Sequence, residues 1–233
     1  MYERHSPTDC TVIDSWSDGV GWFAHPDETG KRASHALIGN EGGVWVFDPV
    51  DAPGLDELLD TLGEVVGVVV LSNYHVRDAE TIADRHGVPV YLPDWLSRAA
   101  KRLHVPPERI TDGIGDSGFT VRRCAPLPGW TEAIAYRESD GTLYVPDVLG
   151  TESSFTVGRE RLGVYLLCRI APPRAAFEGL SPRRVLVGHG TGLFEDAPAA
   201  LTEALSGARR RFPRALLASG GTQVRALVAA IGE

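Results

Sequence analysis

The sequence predicts a layered α/β fold, and two observations carry that prediction. The first is the valine-rich run at residues 66–71, which does not alternate with polar residues, as expected of a strand covered on both faces. The second is the order of patterns around this run, where a hairpin is followed by alternating helices and strands. With 233 residues, 43% of them hydrophobic, the chain can bury one large core, so we predict a single domain over residues 1–233.

Patterns on either side of the central strand predict the other elements of the first half. Apolar runs at 34–38 and 44–47 flank a glycine-rich turn and predict the hairpin. Leucines at helical spacing, with Pro53 near the start and Gly63 just past the end, predict a helix over residues 53–62. The remaining predictions are short strands within 10–23, a helix over 78–86 that closes at Gly87, a strand over 88–92 and a helix that starts after Asp94.

The second half is predicted to add a second group of strands before the chain ends in helices. A strand is expected at 119–124, and a hairpin joins 133–137 to 142–145 through a glycine-containing turn. A further buried strand is expected at 185–187. Two helices rich in alanine and leucine are predicted over 197–211 and 222–231, with the arginines at 209–211 on a solvated helix end.

Composition narrows the class of protein. A formal net charge of −8 opposes contact with phosphate backbones, so no nucleic-acid partner is expected. No apolar run reaches the length of about 18 residues that a membrane helix needs, and the first residues are too polar for a signal peptide, so we expect a cytoplasmic protein. The three cysteines lack a Cys-x-x-Cys spacing and predict neither disulfides nor a cysteine zinc site.

Candidate site residues follow three predicted strands. The central strand stops at a polar loop that contains His75 and Asp78, the second hairpin ends just before Asp147, and the last strand ends at His189 between two glycines. Sites in open α/β sheets lie at the carboxyl ends of strands, which makes the loop after the central strand and the end of the last strand candidate positions for a site. The side chains also have structural alternatives, because Asp78 could cap a helix, Asp147 could begin a turn, and His189 could be incidental to a glycine turn.

Four short stretches, taken in order, resemble the metallo-β-lactamase-fold superfamily. They are the hairpin that ends in Asp48-Pro49, the loop over 71–78, the turn Pro128-Gly129-Trp130 with the hairpin that reaches Asp147, and Gly188-His189-Gly190. The resemblance covers roughly residues 34 to 192. It implies a four-layer αββα sandwich and metal-assisted hydrolysis of an ester, thioester, lactone or phosphoester.

The resemblance also implies a ligand set, which this chain keeps only in part. The family's loop reads His-x-His-x-Asp-His, its turn carries a further histidine, an aspartate bridges two metals and a last histidine completes the second site. His75, Asp147 and His189 match ligand positions. Other residues stand at the remaining positions, namely Asn73, Arg77, Asp78 and Trp130.

These departures make a dinuclear zinc centre unexpected. The Trp130 indole offers only an N–H donor, and the Arg77 guanidinium places a permanent positive charge where a carboxylate should attract a cation. Two hypotheses remain. In one, a single zinc, iron or manganese ion is held by two histidines and two carboxylates: His75, Asp78, Asp147 and His189.

In the other hypothesis, Arg77 replaces the cation by pairing with Asp147 or Asp78. The site then holds no metal, and it either binds a small anionic ligand or is not catalytic. If the protein is active, Asp147, His189 and Arg77 are the residues expected to act on a small-molecule substrate. The other histidines are expected at the surface or at helix ends: His5, His25, His35, His86 and His104.

Overall fold

Two β-sheets, each with helices on its outer face, make up the fold. The computed structural model describes residues 6–231, and their side chains except those of residues 219–220 and 222–231. The larger sheet has seven strands in chain order. They are β1 (Thr11–Trp16), β2 (Gly19–Phe23), β3 (Ala33–Ile38), β4 (Val44–Phe47), β5 (Val65–Val69), β6 (Val90–Pro93) and β7 (Glu108–Ile110).

The second sheet has four strands in the order β13-β10-β9-β8. These strands are β8 (Thr120–Leu127), β9 (Trp130–Arg137), β10 (Thr142–Val145) and β13 (Arg184–Val187). Between β10 and β13 the chain forms a two-stranded ribbon of β11 (Leu149–Gly150) and β12 (Gly163–Val164), followed by two short 3-10 turns, Leu167–Arg169 and Arg174–Phe177.

Four helices complete the fold: α1 (Leu55–Asp60), α2 (Ala79–His86), α3 (Ser97–Ala100) and α4 (Ala197–Ile231). The last is one continuous helix through Pro213, so the prediction of two separate helices was wrong. A proline inside a helix removes one backbone hydrogen bond and bends the helix without necessarily ending it. None of the helices within residues 6–231 combines the length and apolar character needed to cross a bilayer.

Three apolar clusters show how the layers stack. The first packs the outer face of the seven-stranded sheet against α1, α2 and α3, with Leu59 and Ile82 fully buried. The second lies between the two sheets and contains Phe47 from one and Tyr144 from the other. The third packs the four-stranded sheet against α4. The order helix, sheet, sheet, helix is the predicted αββα sandwich.

Parallel pairing brings the loops of the candidate site to one edge of this sandwich. Strands β4 and β5 are parallel, and so are β10 and β13, where Val145 lies opposite Val187. Carboxyl ends of parallel neighbours point the same way, so the loops that follow these four strands meet. The two sheets are also joined at this edge, because the backbone N–H of Ala133 donates to the Leu71 carbonyl at 2.7 Å.

Candidate metal centre

Three of the predicted site residues meet at this edge. The carboxylate oxygen Oδ1 of Asp147 lies 3.0 Å from His75 Nε2 and 3.2 Å from His189 Nε2. One ligand atom from each residue lies within 4.8 Å of the other two, and all three residues are buried. His75 follows β5, Asp147 follows β10 and His189 follows β13, so the convergence arises from the pairing of the strands.

The second ring nitrogen of each imidazole has its own acceptor. Nδ1 of His189 lies 2.7 Å from the carbonyl oxygen of Gly30, and a carbonyl can only accept, so this nitrogen carries the proton. Nδ1 of His75 lies 3.1 Å from Oδ2 of Asp48. Both rings are therefore held by Nδ1, and both direct Nε2 toward the same oxygen of Asp147.

Asp48 organises the contact with His75. It is fully buried at the end of β4, where Oδ1 accepts the Leu71 N–H and Oδ2 accepts the Tyr144 hydroxyl, each at 2.8 Å. Burial, and next the charge of Asp48, raise the pKa of Tyr144 well above its ordinary value, so the hydroxyl remains a donor. The sequence identified the Asp48-Pro49 strand end as part of the resemblance but assigned Asp48 no role.

Arg77 makes its contacts with backbone carbonyls. Nη1 donates to the carbonyls of Ala33 and Asp48, both at 2.7 Å, and Nη2 donates to that of Gly188 at 3.2 Å. Among the described residues, the guanidinium forms no ion pair with Asp147 or Asp78, so the predicted pairing was wrong. The physical reason is that three strand ends, those of β4 and β13 and the start of β3, present carbonyls that need a donor.

The fourth contact of Arg77 defines the state of His75. Nη2 lies 3.1 Å from His75 Nε2, and a guanidinium can only donate, so this contact needs a bare Nε2. Two bare acceptors, Nε2 and Asp147 Oδ1, would then lie 3.0 Å apart. Burial and Arg77 lower the pKa of His75, yet the negative charges of Asp147 and Asp48 outweigh them and raise it. The site therefore attracts a positive charge.

Asp147 is the negative centre of the cluster. Burial works to raise its pKa, but His75 and His189 hold the pKa of this carboxyl well below its ordinary value. Its second oxygen, Oδ2, accepts the Ser72 hydroxyl at 2.5 Å. Asp147 is thus ionised and fixed in orientation by groups from both sheets.

Solved structures with the same arrangement of strands and helices show what the chain is similar to. The alignment with a metallo-beta-lactamase from Pontibacter korlensis covers 85% of this chain and 99% of that protein's chain, with a TM-score of 0.57 and 14% identity. The BLEG-1 B3 metallo-beta-lactamase covers 84% and 97%, with a TM-score of 0.54 and 18% identity. The chain has the metallo-β-lactamase fold.

The fold is shared by proteins with other descriptions. A fragment of putative diflavin flavoprotein A 5 from Nostoc sp. PCC 7120 covers 91% of this chain and 99% of its own, with a TM-score of 0.59 and 15% identity. Neither a protein-family model nor a curated protein matches the sequence. At these identities the similarity establishes the fold alone.

Asp78 does not join the cluster on this metallo-β-lactamase fold. Its Oδ2 accepts the backbone N–H of Asp51 at 2.9 Å, which turns the carboxylate toward the loop after β4. Asp78 precedes α2, but its side chain makes no capping hydrogen bond with that helix. Both sequence-based alternatives for Asp78, ligand and helix cap, therefore give way to a role in holding this loop.

Asn73 and Trp130, which stand at two other ligand positions, are engaged elsewhere. Oδ1 of Asn73 accepts the N–H groups of Arg98 and Ala99 at 3.1 Å each, at the start of α3. The Trp130 indole donates to Oε2 of Glu132 at 3.3 Å. The amide oxygen of Asn73 is thus already in use and is not directed at the cluster.

Sequence reasoning missed Glu132. This carboxylate is fully buried on β9 and accepts the backbone N–H groups of Asp147 and Val148. Burial, and next the charge of Asp147, raise the pKa of Glu132 well above its ordinary value, and its hydrogen bonds only partly oppose this. The available signal was one carboxylate directly before the apolar run 133–136 of β9.

The predicted surface or helix-end position was also wrong for His25 and His35, which are both buried and lie outside the helices, whereas His5 lies outside the described residues. Nε2 of His35 lies 3.4 Å from Oδ2 of Asp14, and the same oxygen accepts the N–H of Gly192 at 2.7 Å. His35 lies on β3 of the larger sheet and its ring packs edge-on against Tyr144 of the other sheet, with ring centroids 5.7 Å apart, so the side chain points between the two sheets. Asp14 thereby anchors the end of the loop that carries His189.

The cluster fits one metal ion. Two imidazole nitrogens and one carboxylate oxygen form a donor set used for zinc, iron and manganese, and three protein ligands leave a coordination position open. Histidine ligands commonly donate their other N–H to a carboxylate or a backbone carbonyl, as His75 does to Asp48 and His189 to Gly30. Among the described residues, no second group of histidine, cysteine and carboxylate ligands lies beside this one.

Proposed function

We propose that the protein holds one divalent metal ion between His75, Asp147 and His189 and is a metal-dependent hydrolase with a mononuclear site. The observation that carries the proposal is the meeting of both Nε2 atoms at Oδ1 of Asp147, while both Nδ1 atoms are committed to acceptors. Three acceptor atoms in this arrangement need a cation. Zinc, iron and manganese suit the donor set.

Arg77 explains why the proposed site holds one ion rather than two. Its guanidinium carries a permanent charge and lies against His75 Nε2, on the side where the family resemblance implies a carboxylate ligand. A second cation there would face strong like-charge repulsion in a poorly solvated setting. Since both Nη atoms are engaged with carbonyls and His75, Arg77 is not proposed to bind an anionic ligand.

The chemistry follows from the type of site. A divalent ion, when bound, acts as a Lewis acid toward a carbonyl or phosphoryl group, which suits hydrolysis of a small ester, thioester, lactone or phosphoester. Asp147 supplies the negative charge, the two imidazoles supply neutral nitrogen, and Arg77 keeps a positive charge beside His75. The net charge of −8 favours a small-molecule substrate over a nucleic acid.

Metal content tests the proposal. We expect one ion per chain in protein reconstituted with zinc, iron or manganese, and we expect loss of that ion in His189→Ala. The matched control is Asp78→Asn, since Asp78 lies outside the cluster and should leave the stoichiometry unchanged. Hydrolysis of a panel of nitrophenyl esters, thioesters and phosphoesters, with and without chelator, tests the reaction. Metal that stays substoichiometric after reconstitution would remove the basis of the proposal.

A metal-free site is the second candidate, and one observation favours it. Arg77 Nη2 is within hydrogen-bond distance of the His75 nitrogen that a metal would need. In this alternative, Arg77 donates to the bare Nε2 of His75 in place of a metal ion, and its guanidinium supplies the positive charge beside Asp147. The protein would then be non-catalytic in the hydrolytic sense. Wild-type protein that binds no metal and hydrolyses none of the panel would support this alternative.

A further inference from the structure

A buried carboxylate lies beneath the metal cluster without belonging to it. Glu132 has no exposed surface and, among the described residues, no cationic partner. Its contacts are N–H donors: Asp147 N–H to Oε2 at 3.1 Å, Val148 N–H to both oxygens at 3.1 Å, and the Trp130 indole to Oε2 at 3.3 Å. Burial of a carboxylate is costly unless such donors compensate it, so this group needs a reason to be here.

The donors that Glu132 serves lie where the chain leaves the sheet. Strand β10 ends at Val145. Asp147 and Val148, which follow after Pro146, direct their N–H groups at Glu132 instead of at a neighbouring strand. The carboxylate thus fixes the backbone from which the Asp147 side chain projects. Ser72 fixes the side chain separately, through Oδ2 of Asp147.

Glu132 also ties this backbone to the loop that carries His75. Residues Ser72 and Glu132 form an antiparallel bridge between the two sheets, three residues before His75 in the chain. The ends of β5 and β10 are therefore held to one residue of β9. A change at this position should move Asp147 relative to His75.

We propose that Glu132 is a positioning residue that sets the place of Asp147 Oδ1 between His75 and His189. It touches neither the proposed metal ion nor a substrate, and it acts through the backbone of Asp147. Trp130, at a position where the resemblance implies a ligand histidine, adds a third N–H that holds the Glu132 carboxylate in place. The significance for metal binding rests on the proposed function, whereas the positioning itself is a property of the metal-free chain.

Side-chain nitrogen NMR of metal-free protein tests the positioning directly, because ring 15N shifts of His75 and His189 distinguish protonated, bare and hydrogen-bonded nitrogens. Glu132→Met keeps the approximate volume and removes both acceptors, and we expect shifted Nε2 resonances on both rings. Glu132→Gln can keep one acceptor toward Asp147 and Val148 and should stay close to wild type. Glu132→Asp keeps the carboxyl group but is too short to reach both N–H groups and should be perturbed.

A matched control separates positioning from stability. Asp140 also accepts a backbone N–H of its strand, that of Thr142 at 3.1 Å, but lies at the opposite end of β10. Asp140→Ala should lower stability and leave both imidazole spectra unchanged. Should Glu132→Met fail to fold, Glu132→Asp decides alone.

Cobalt binding provides the second measurement. If the wild type binds Co²⁺, we expect Glu132→Met to weaken the affinity by about 10- to 100-fold, as for other groups that orient a metal ligand, and Glu132→Gln to retain most of it. If the wild type binds no Co²⁺, the proposed function fails and the imidazole resonances still decide the role of Glu132. Wild-type resonances in Glu132→Met, or in Glu132→Asp when that variant alone folds, would overturn the inference.

Discussion

Nη2 of Arg77 lies 3.1 Å from Nε2 of His75, so a permanent cation faces the same nitrogen that lies beside the Asp147 carboxylate. Charges of opposite sign around His75 have opposite effects on whether its ring carries a positive charge. Asp48 and Asp147 favour a proton or a metal ion on the ring, and Arg77 opposes both. Replacing either side of this balance should change the site in a predictable direction.

The first prediction concerns the charge of Arg77. Arg77→Met should raise the affinity for Zn²⁺ or Co²⁺ by at least about tenfold, because it removes a like charge beside the ligand nitrogen. Arg85→Met is the matched control, since it removes the same charge from the end of α2, where Arg85 pairs with Asp51 and Asp56. Competition with a fluorescent chelator measures both affinities. Unchanged binding in Arg77→Met would mean that the guanidinium does not influence the ion.

Arg77 should also contribute to stability through the carbonyls it serves. Arg77→Met leaves the carbonyls of Ala33, Asp48 and Gly188 without this donor, and we expect a loss of about 2–4 kcal/mol in the free energy of unfolding. Arg77→Lys should recover only part, because an ammonium cannot reproduce the planar fork. Urea denaturation measures the difference. A midpoint equal to that of the wild type would contradict the role in joining the strand ends.

Asp48 should set the orientation and tautomer of His75. His75 and Tyr144 both donate to Oδ2 of Asp48, and the Leu71 N–H donates to Oδ1, so in Asp48→Asn the amide NH2 faces either the first two donors or the third, and the negative charge beside His75 is lost. We expect metal affinity to fall by about 10- to 100-fold. Tyr144→Phe is the control, since it removes one donor and leaves the carboxylate on His75. Isothermal titration with Zn²⁺ gives the affinities, and equal values for Asp48→Asn and wild type would refute the role.

Asn73 should matter for folding rather than for metal binding. Asn73→Ala leaves the N–H groups of Arg98 and Ala99 without their acceptor, which should lower the free energy of unfolding by about 1–3 kcal/mol. Metal stoichiometry should stay as in the wild type. Thermal denaturation together with metal analysis checks both expectations. A stable variant that has lost its metal would show that the amide acts as a ligand after all.

The pH dependence of stability should include a contribution from Asp140. Burial works to raise the pKa of this carboxyl, but hydrogen bonds from Arg137 and Thr142 lower it below the ordinary value. Because its pKa is lower in the folded state, the ionised carboxyl stabilises the protein at pH values above the unfolded-state pKa of about 3.9. This stabilisation is lost as the pH falls through the folded-state pKa. Asp140→Asn should therefore be less stable than wild type near neutral pH, and the gap should close in acid. Denaturation series at several pH values measure the gap, and a constant gap would exclude this coupling.

Most of the fold could be predicted because its signals are local. The valine-rich run at 66–71 predicted a buried strand, and β5 extends over Val65–Val69. Turn chemistry also located both hairpins. The break predicted in the last helix was wrong because α4 continues through Pro213, and a proline can bend a helix without ending it.

The site could be predicted by place but not by orientation. His75, Asp147 and His189 were found because they match ligand positions of the family that the chain resembles and because each follows a predicted strand, where sites in such sheets lie. Asp78 and Arg77 failed because their partners, the Asp51 N–H and three carbonyls, are backbone groups that no residue pattern reveals. Glu132 was missed for a related reason, since its importance comes from N–H groups on another strand.

The backbone at Arg77 holds one further consequence. Its φ angle is 44°, in the left-handed region that costs a typical side chain about 1–2 kcal/mol and that aspartate and asparagine accept more readily. The backbone conformation at position 77 thus suits an aspartate better than the arginine that is present. An Arg77→Asp exchange would relieve backbone strain and reverse the local charge in a single step. This loop is accordingly a favourable starting point for engineering a second cation site into the protein.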